Sequence, residues 1–212
     1  MGVEYAMGYA DAQVRAMRVR REVAAMAPDG TAFMVASPNT SARMWRIVTD
    51  AVVKEFERLA AGQVPGTATV LALASGMERA ILWLRETLIE QRMPLDVSVG
   101  IAMPAGDSIH IAMCAGVRMY RARGNAPERV PSPTSSPEGL LNGPLVVTTE
   151  ALHAGEVFVL GTREAFSIRA VGNLAQTLNR PGPRSVVELC DGVLDPCRST
   201  GQGAAAVVIR RT

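Results

Sequence analysis

Arg18 and Arg20 stand two residues apart, so in an extended chain their guanidinium groups share one face, and Glu22 is next along it. A guanidinium is a planar, permanently charged fork that matches the two oxygens of a phosphate or carboxylate. If that face looks into a cleft, it suits metal-free binding of an anion. If it looks outward, it is an arginine-rich strand balanced by Glu22, and the sequence leaves both arrangements open. Other chemistry is thinly supplied. The two histidines, His110 in an apolar strand and His153 in a turn, lack a nearby nucleophile and carboxylate, so they are expected as a satisfied core residue and a surface residue. Cys114, Cys190 and Cys197 are odd in number and form no Cys-x-x-Cys pair, which disfavours a disulfide framework and a zinc site and leaves them as small buried thiols. Asp191 and Asp195, about one helical turn apart, read as solvated or capping residues. Asp29-Gly30 and Gly106-Asp107-Ser108 fall in turns between strands, where such residues serve the backbone.

Composition narrows the classes further. The chain has 212 residues, 22 basic and 20 acidic side chains and a formal charge of +2, too balanced for a protein whose main task is to coat nucleic acid or an anionic membrane. Lys54 is the sole lysine among those basic residues. No apolar run approaches the roughly 20 residues needed to cross a bilayer, and the N-terminal residues carry no basic-then-apolar signal pattern. A soluble, cytoplasmic, single-domain protein spanning 1–212 is expected, with neither nucleic acid nor membrane as a partner.

The elements that must position these residues follow from periodicity. Apolar runs at Val3 to Ala10, Val19 to Ala27 and Thr31 to Ser37 read as three strands in an antiparallel meander. Ser37, Asn39, Thr40 and Ser41 offer N-cap oxygens for a helix from about Ser41 to Ala61, with Met44, Ile47, Val48, Ala51, Val52 and Phe56 on its apolar side. Val70, Ala74, Met77, Ile81, Leu84 and Leu88 step by four and three, which gives a second helix from about Thr67 to Arg92 packed on the first. After Pro94 the period falls to two: a strand from Asp96 to Met103, a turn, and a long strand from Ile109 to Arg123. Residues 125–143 lack periodicity and read as a mobile loop. Strands at Leu145 to Thr149 and Glu156 to Gly161 flank a turn at His153-Ala154-Gly155, helical segments follow near Arg163 to Asn179 and Arg184 to Leu194, and Ala204 to Arg211 closes the chain as a strand. Two stacked antiparallel sheets, each covered by helices, would bury all these amphipathic faces: an α+β, four-layer α-β-β-α sandwich.

That order and several phrases resemble the metal-dependent PPM-type (2C class) Ser/Thr phosphatases. Cys114 to Gly124 looks like the family's Gly-Asp-Ser-Arg-x-Tyr-x-x-Arg-x-Gly strand, keeping the Arg, Tyr, Arg and Gly as Arg118, Tyr120, Arg123 and Gly124. Gly155-Glu156 followed by Val157 to Leu160 looks like the family's Gly-Asp and the strand leading to its Ser-Asp-Gly, and Ala204 to Arg210 like the strand after its Asp-Asn. The family holds Mg²⁺ or Mn²⁺ with carboxylates from separate strands. Here the residues that match those positions are Val19 and Arg20, Ser37-Pro38, Gly116, Arg163 and Gln202-Gly203, every one neutral or cationic. Charge repulsion in a half-buried site would then be of order several kcal/mol. The resemblance therefore implies a degenerate member: no catalytic residues, no metal or other cofactor, and a regulatory role through a protein partner. An anion or partner would meet Arg18, Arg20, Ser37 and Arg163 in the degenerate cleft. Two alternatives accompany it, an active minimal phosphatase with relocated Mg²⁺ or Mn²⁺ ligands and a self-assembling structural subunit, which would be a homo-oligomer.

Overall fold

A computed structural model describes residues 2–40, 44–87, 95–114, 116–124, 126–131, 139–182 and 184–212. The chain opens with β1 (Val3–Ala10), β2 (Ala12–Val14), β3 (Met17–Val19), β4 (Val23–Met26) and β5 (Phe33–Pro38). Helices α1 (Trp45–Ala60) and α2 (Thr67–Thr87) come next, then β6 (Val97–Ala105), β7 (Ser108–Cys114), β8 (Val117–Arg123), β9 (Ala126–Arg129), β10 (Leu145–Ala151) and β11 (Val157–Thr162). A 3-10 turn at Arg163–Phe166 leads into α3 (Ile168–Asn179), α4 (Val186–Thr200) and β12 (Ala204–Arg211).

One sheet runs β1-β12-β11-β8-β9 and the other β10-β7-β6-β5-β4, all pairs antiparallel. Phe33, Val35, Ile111, Phe158, Val207 and Ile209 fill the space between them. The outer face of the second sheet is closed by Val48, Val52, Phe56, Val70, Met77 and Ile81 of the α1–α2 hairpin. That of the first is closed by Leu174, Leu189, Val193 and Leu194 of α3 and α4. Each such side chain contributes about 1.5–3 kcal/mol on burial. The four-layer α-β-β-α sandwich expected from the sequence is the observed one.

Three local expectations need correction. The meander of the first three strands does not form. Only β4 and β5 pair, while β1 crosses to the other sheet and pairs with β12 from Val3↔Arg211 to Ala10↔Ala204. The chain passes between sheets through the β2–β3 hairpin, whose turn holds Arg15 in the left-handed region at φ 56°. The long strand from Ile109 to Arg123 is two strands in different sheets. It breaks at Gly116, whose φ of 86° needs glycine, and a Cβ there would stand 2.5 Å from the Ser98 hydroxyl. The expected loop at 125–143 contains β9, which pairs with β8; its residues 125 and 132–138 lie outside the described residues.

Helix limits also differ. The structure starts α1 at Trp45 and spends Ser37 on β5 and Asn39 on a bond to the Ser98 hydroxyl, so these do not cap it; the proposed cap Ser41 lies outside the described residues, as do 88–92 of the second predicted helix. The last helix runs past Pro196 to Thr200, ending where Gly201 turns left-handed at φ 68°. Its start is a capping box in which Ser185 and Glu188 satisfy each other's backbone N–H groups, which holds the Glu188 carboxyl below its ordinary range. No helix among the described residues is long and apolar enough to cross a membrane.

All three cysteines are buried and unpaired. Desolvation pushes the thiols of Cys114 and Cys190 up to about 12 and that of Cys197 to about 11, so none supplies appreciable thiolate at neutral pH. The folded protein at pH 8 is expected to take up no thiol reagent and the unfolded chain three equivalents; rapid labelling of the folded protein would contradict this burial.

Candidate functional site

The sequence placed Arg18, Arg20 and Glu22 on one face, but the strand ends at Val19 and the three diverge. Arg18 is exposed on β3 opposite Gln13. Arg20 swings back to lie 3.1 Å above the Tyr9 ring, with its Nε 3.7 Å from the Asp11 carboxylate. Glu22 turns inward and is 5% exposed. Arg163 begins the 3-10 turn after β11 and is exposed, and Ser37 sits near the end of β5 opposite Ser98.

Glu22 is the residue that gathers neighbours. Its carboxylate lies against Gly203, where a Cβ would collide with it, and the Ser37 hydroxyl acts on it as a hydrogen-bond donor. Burial raises its pKa above the ordinary carboxylate value. The Arg21 charge, a backbone hydrogen bond and the Ser37 hydroxyl oppose the rise, and the nearby Glu164 carboxylate adds to it. Among the described residues Glu22 Oε2 has no hydrogen-bond partner, and neither have the buried Asp11 Oδ1, Arg21 Nε and Thr40 Oγ1. Thus two positions singled out in the sequence, Ser37 at the end of β5 and Gly203 before β12, do meet at one end of the sandwich. Between them stands a buried acid that the sequence reading had assigned to a strand face. The available signal was its place directly before the apolar strand Val23–Met26, where a charged side chain turned inward needs a partner.

Asp29, Asp191, Asp195 and Glu156 have structural partners. Asp29 accepts hydrogen bonds from Thr31 and from the Gly62 amide, which lowers its carboxyl's pKa, and Asp191 and Asp195 both bond Arg198, at 2.8 and 2.9 Å. Gly106-Asp107 forms the β6–β7 turn, as expected. Glu156, its side chain 1% exposed, lies 3.3 Å from Arg123 and 3.8 Å from Arg121, and accepts the His153 N–H. The arginine strand and the Gly-Glu strand that carried the resemblance are thus neighbours, β8 beside β11, tied by ion pairs. His153 is exposed, as expected. His110 is satisfied, but by Thr149 and Thr67 at a half-exposed site, not in the core, because β7 turns it toward β10 and the start of α2.

A hard divalent ion needs several negatively charged oxygens converging on one point. Among the described residues no group of three or more His, Cys, Asp or Glu side chains is placed to hold an ion. At the Ser37–Gly203 junction the donors are a single buried carboxylate and a hydroxyl, with the Arg21 guanidinium beside them. That set does not fit a two-metal centre.

No family model matches the sequence, and no curated protein matches it. Solved structures do. The Mycobacterium tuberculosis serine/threonine phosphatase PstP/Ppp superposes with a TM-score of 0.81 at 13% identity, over 99% of this chain and 98% of its own. PppA, described as a regulatory component of the T6SS in Pseudomonas aeruginosa, gives 0.79 at 19% identity over 99% and 98%. Stp1 from Staphylococcus aureus gives 0.74 at 11% identity over 100% and 96%. The PstP catalytic domain has also been solved in complex with two manganese ions. At these identities the likeness establishes architecture: this chain has the fold of the PPM-type Ser/Thr phosphatases.

Proposed function

We propose that this chain is a phosphatase-like module that performs no phosphatase chemistry and acts in regulation by binding a protein partner. The observation that carries this reading is the Ser37–Glu22–Gly203 junction. PstP binds two manganese ions on the same fold. Here a glutamate burial drives toward its neutral form stands with an arginine beside it. One buried carboxyl with a guanidinium beside it attracts a divalent cation far less than a cluster of carboxylates would.

The four residues named for an anion or partner, Arg18, Arg20, Ser37 and Arg163, remain part of the proposal in a divided form. Arg20 already has Tyr9 and Asp11 as partners, while Arg18 and Arg163 are exposed at the surface. The test is hydrolysis of p-nitrophenyl phosphate and of a phosphoserine peptide with and without Mn²⁺. Rates at the background of buffer plus metal are expected. Turnover that chelation abolishes would overturn the reading in favour of an active phosphatase.

A further inference from the structure

We infer that β1 is a docking edge for an extended peptide segment of the protein partner, apolar at alternate positions and acidic at the end that meets the β2–β3 hairpin. This rests on the interaction-module reading above and specifies its surface.

Among the described residues β1 is the last strand of its sheet, paired on one side only. The Thr212 N–H donates to the Gly2 carbonyl in the register that pairs Val3 with Arg211. Antiparallel pairs alternate, so even-numbered residues of β1 bond β12, and the N–H and C=O groups of Val3, Tyr5, Met7 and Tyr9 point away from the sheet. The side chains of the same four residues lie on the face toward the opposite sheet, Tyr5 5.0 Å from Phe33, whereas Ala6 and Ala10 pack in the α4 layer. Toward the opposite sheet they meet its edge strand β4, which leaves them 38, 42, 38 and 40% exposed. One eight-residue strand thus offers a ladder of outward hydrogen-bonding groups together with an apolar, aromatic strip.

Protected edges carry lysine, proline, a bulge or an inward charge. β1 has only Glu4, which is bonded to Arg210. Where β1 ends, a pocket of about 410 Å³ opens between Tyr9, Val23 and Val53, rimmed by Arg20 and Lys54 and by Asp50 and Glu57, so its charges balance, and it is large enough for a side chain entering beside the strand. The adjoining hairpin presents Arg15, Arg18 and Arg20 at the surface against one acid, Asp11. Strand addition supplies affinity through the backbone and specificity through alternate side chains, and the arginine excess sets which end of the added strand is acidic.

The experiment uses a fluorescein-labelled peptide of alternating valine and threonine led by three glutamates, titrated with the full chain and followed by fluorescence anisotropy. Saturable binding is expected, at least tenfold weaker when lysines replace the glutamates. Binding should also fall at least tenfold in Met7→Lys, which puts a charge in the strip, and in Met7→Pro, which removes an outward amide that β12 does not use. Thermal melts of both variants confirm folding. No saturable binding, or equal binding by the folded Met7 variants, overturns the proposal. So does a chain dimer that Met7→Lys dissolves, because a second copy would then own the edge. Failure here with no manganese-dependent turnover leaves the interaction-module reading standing; turnover removes that reading whatever the peptide does.

Discussion

Asp96→Ala is expected to destabilise the protein by about 3–5 kcal/mol, because it strands several buried donors at about 1–3 kcal/mol each. Asp96 is buried just before β6. Its Oδ1 accepts the N–H groups of Val97 at 2.8 Å and Leu141 at 3.0 Å; its Oδ2 accepts those of Gly139 at 2.9 Å and the Asn142 side chain at 3.0 Å. Its carbonyl accepts the Asn39 N–H, so one residue ties together the end of β5, the start of β6 and the 139–142 turn. Alanine would leave those donors with no acceptor in a region water reaches poorly. Urea unfolding measures the loss, and Asp96→Asn, which keeps an acceptor oxygen, should lose about half as much. The amides of Gly139 and Leu141 should exchange faster in both variants. A loss under about 1 kcal/mol would show that the clasp contributes little.

Glu22→Gln should have the opposite sign. The Glu22 carboxyl is raised above its ordinary value in the folded state, chiefly by burial. A group raised on folding contributes its full stability below its unfolded value, and that contribution is lost as pH rises through the folded value. At pH 8 the wild type therefore either holds an under-bonded buried carboxylate or spends free energy keeping the proton. Glutamine is neutral and nearly the same shape. The variant is expected to gain about 1–2 kcal/mol at pH 8, the scale of one unsatisfied buried polar group, and to gain little at pH 4. Thermal unfolding across that pH range checks it. A variant that is less stable at pH 8 would mean that Glu22 is ionised and that its pairing with Arg21 outweighs its burial.

The parts of the fold that were legible in the sequence are those governed by local periodicity. The steps from Val70 to Leu84 fixed which side of α2 is buried, and the alternation after Pro94 marked the β6–β7 hairpin, because side-chain period is a property of the backbone itself. What the period does not carry is sheet membership. β1 looks the same whether it pairs with β4 or with β12, and the choice is made by closure of the chain's two ends some two hundred residues apart. The break at Gly116 was hidden for a related reason: Ile109 to Arg123 alternates well enough throughout, and only a left-handed residue reveals the crossing between sheets.

At the site, Ser37 and Gly203 were singled out by resemblance, and in the structure both lie against Glu22. Glu22 was visible only as a charge next to arginines. Its inward turn depends on the chain leaving extended geometry after Val19, which no residue spacing announces. Arg20 was drawn away from the site by the aromatic ring of Tyr9 near the end of β1, a tertiary contact across the hairpin.

The measurement closest to the central claim is a manganese titration of the purified chain by isothermal calorimetry, run beside the phosphatase assay on the same sample. A chain whose Ser37–Gly203 junction offers one buried carboxyl beside an arginine should show no saturable binding in the micromolar range and no metal-dependent hydrolysis. Saturable uptake of manganese, weakened by Glu22→Gln and accompanied by turnover that a chelator stops, would contradict the claim.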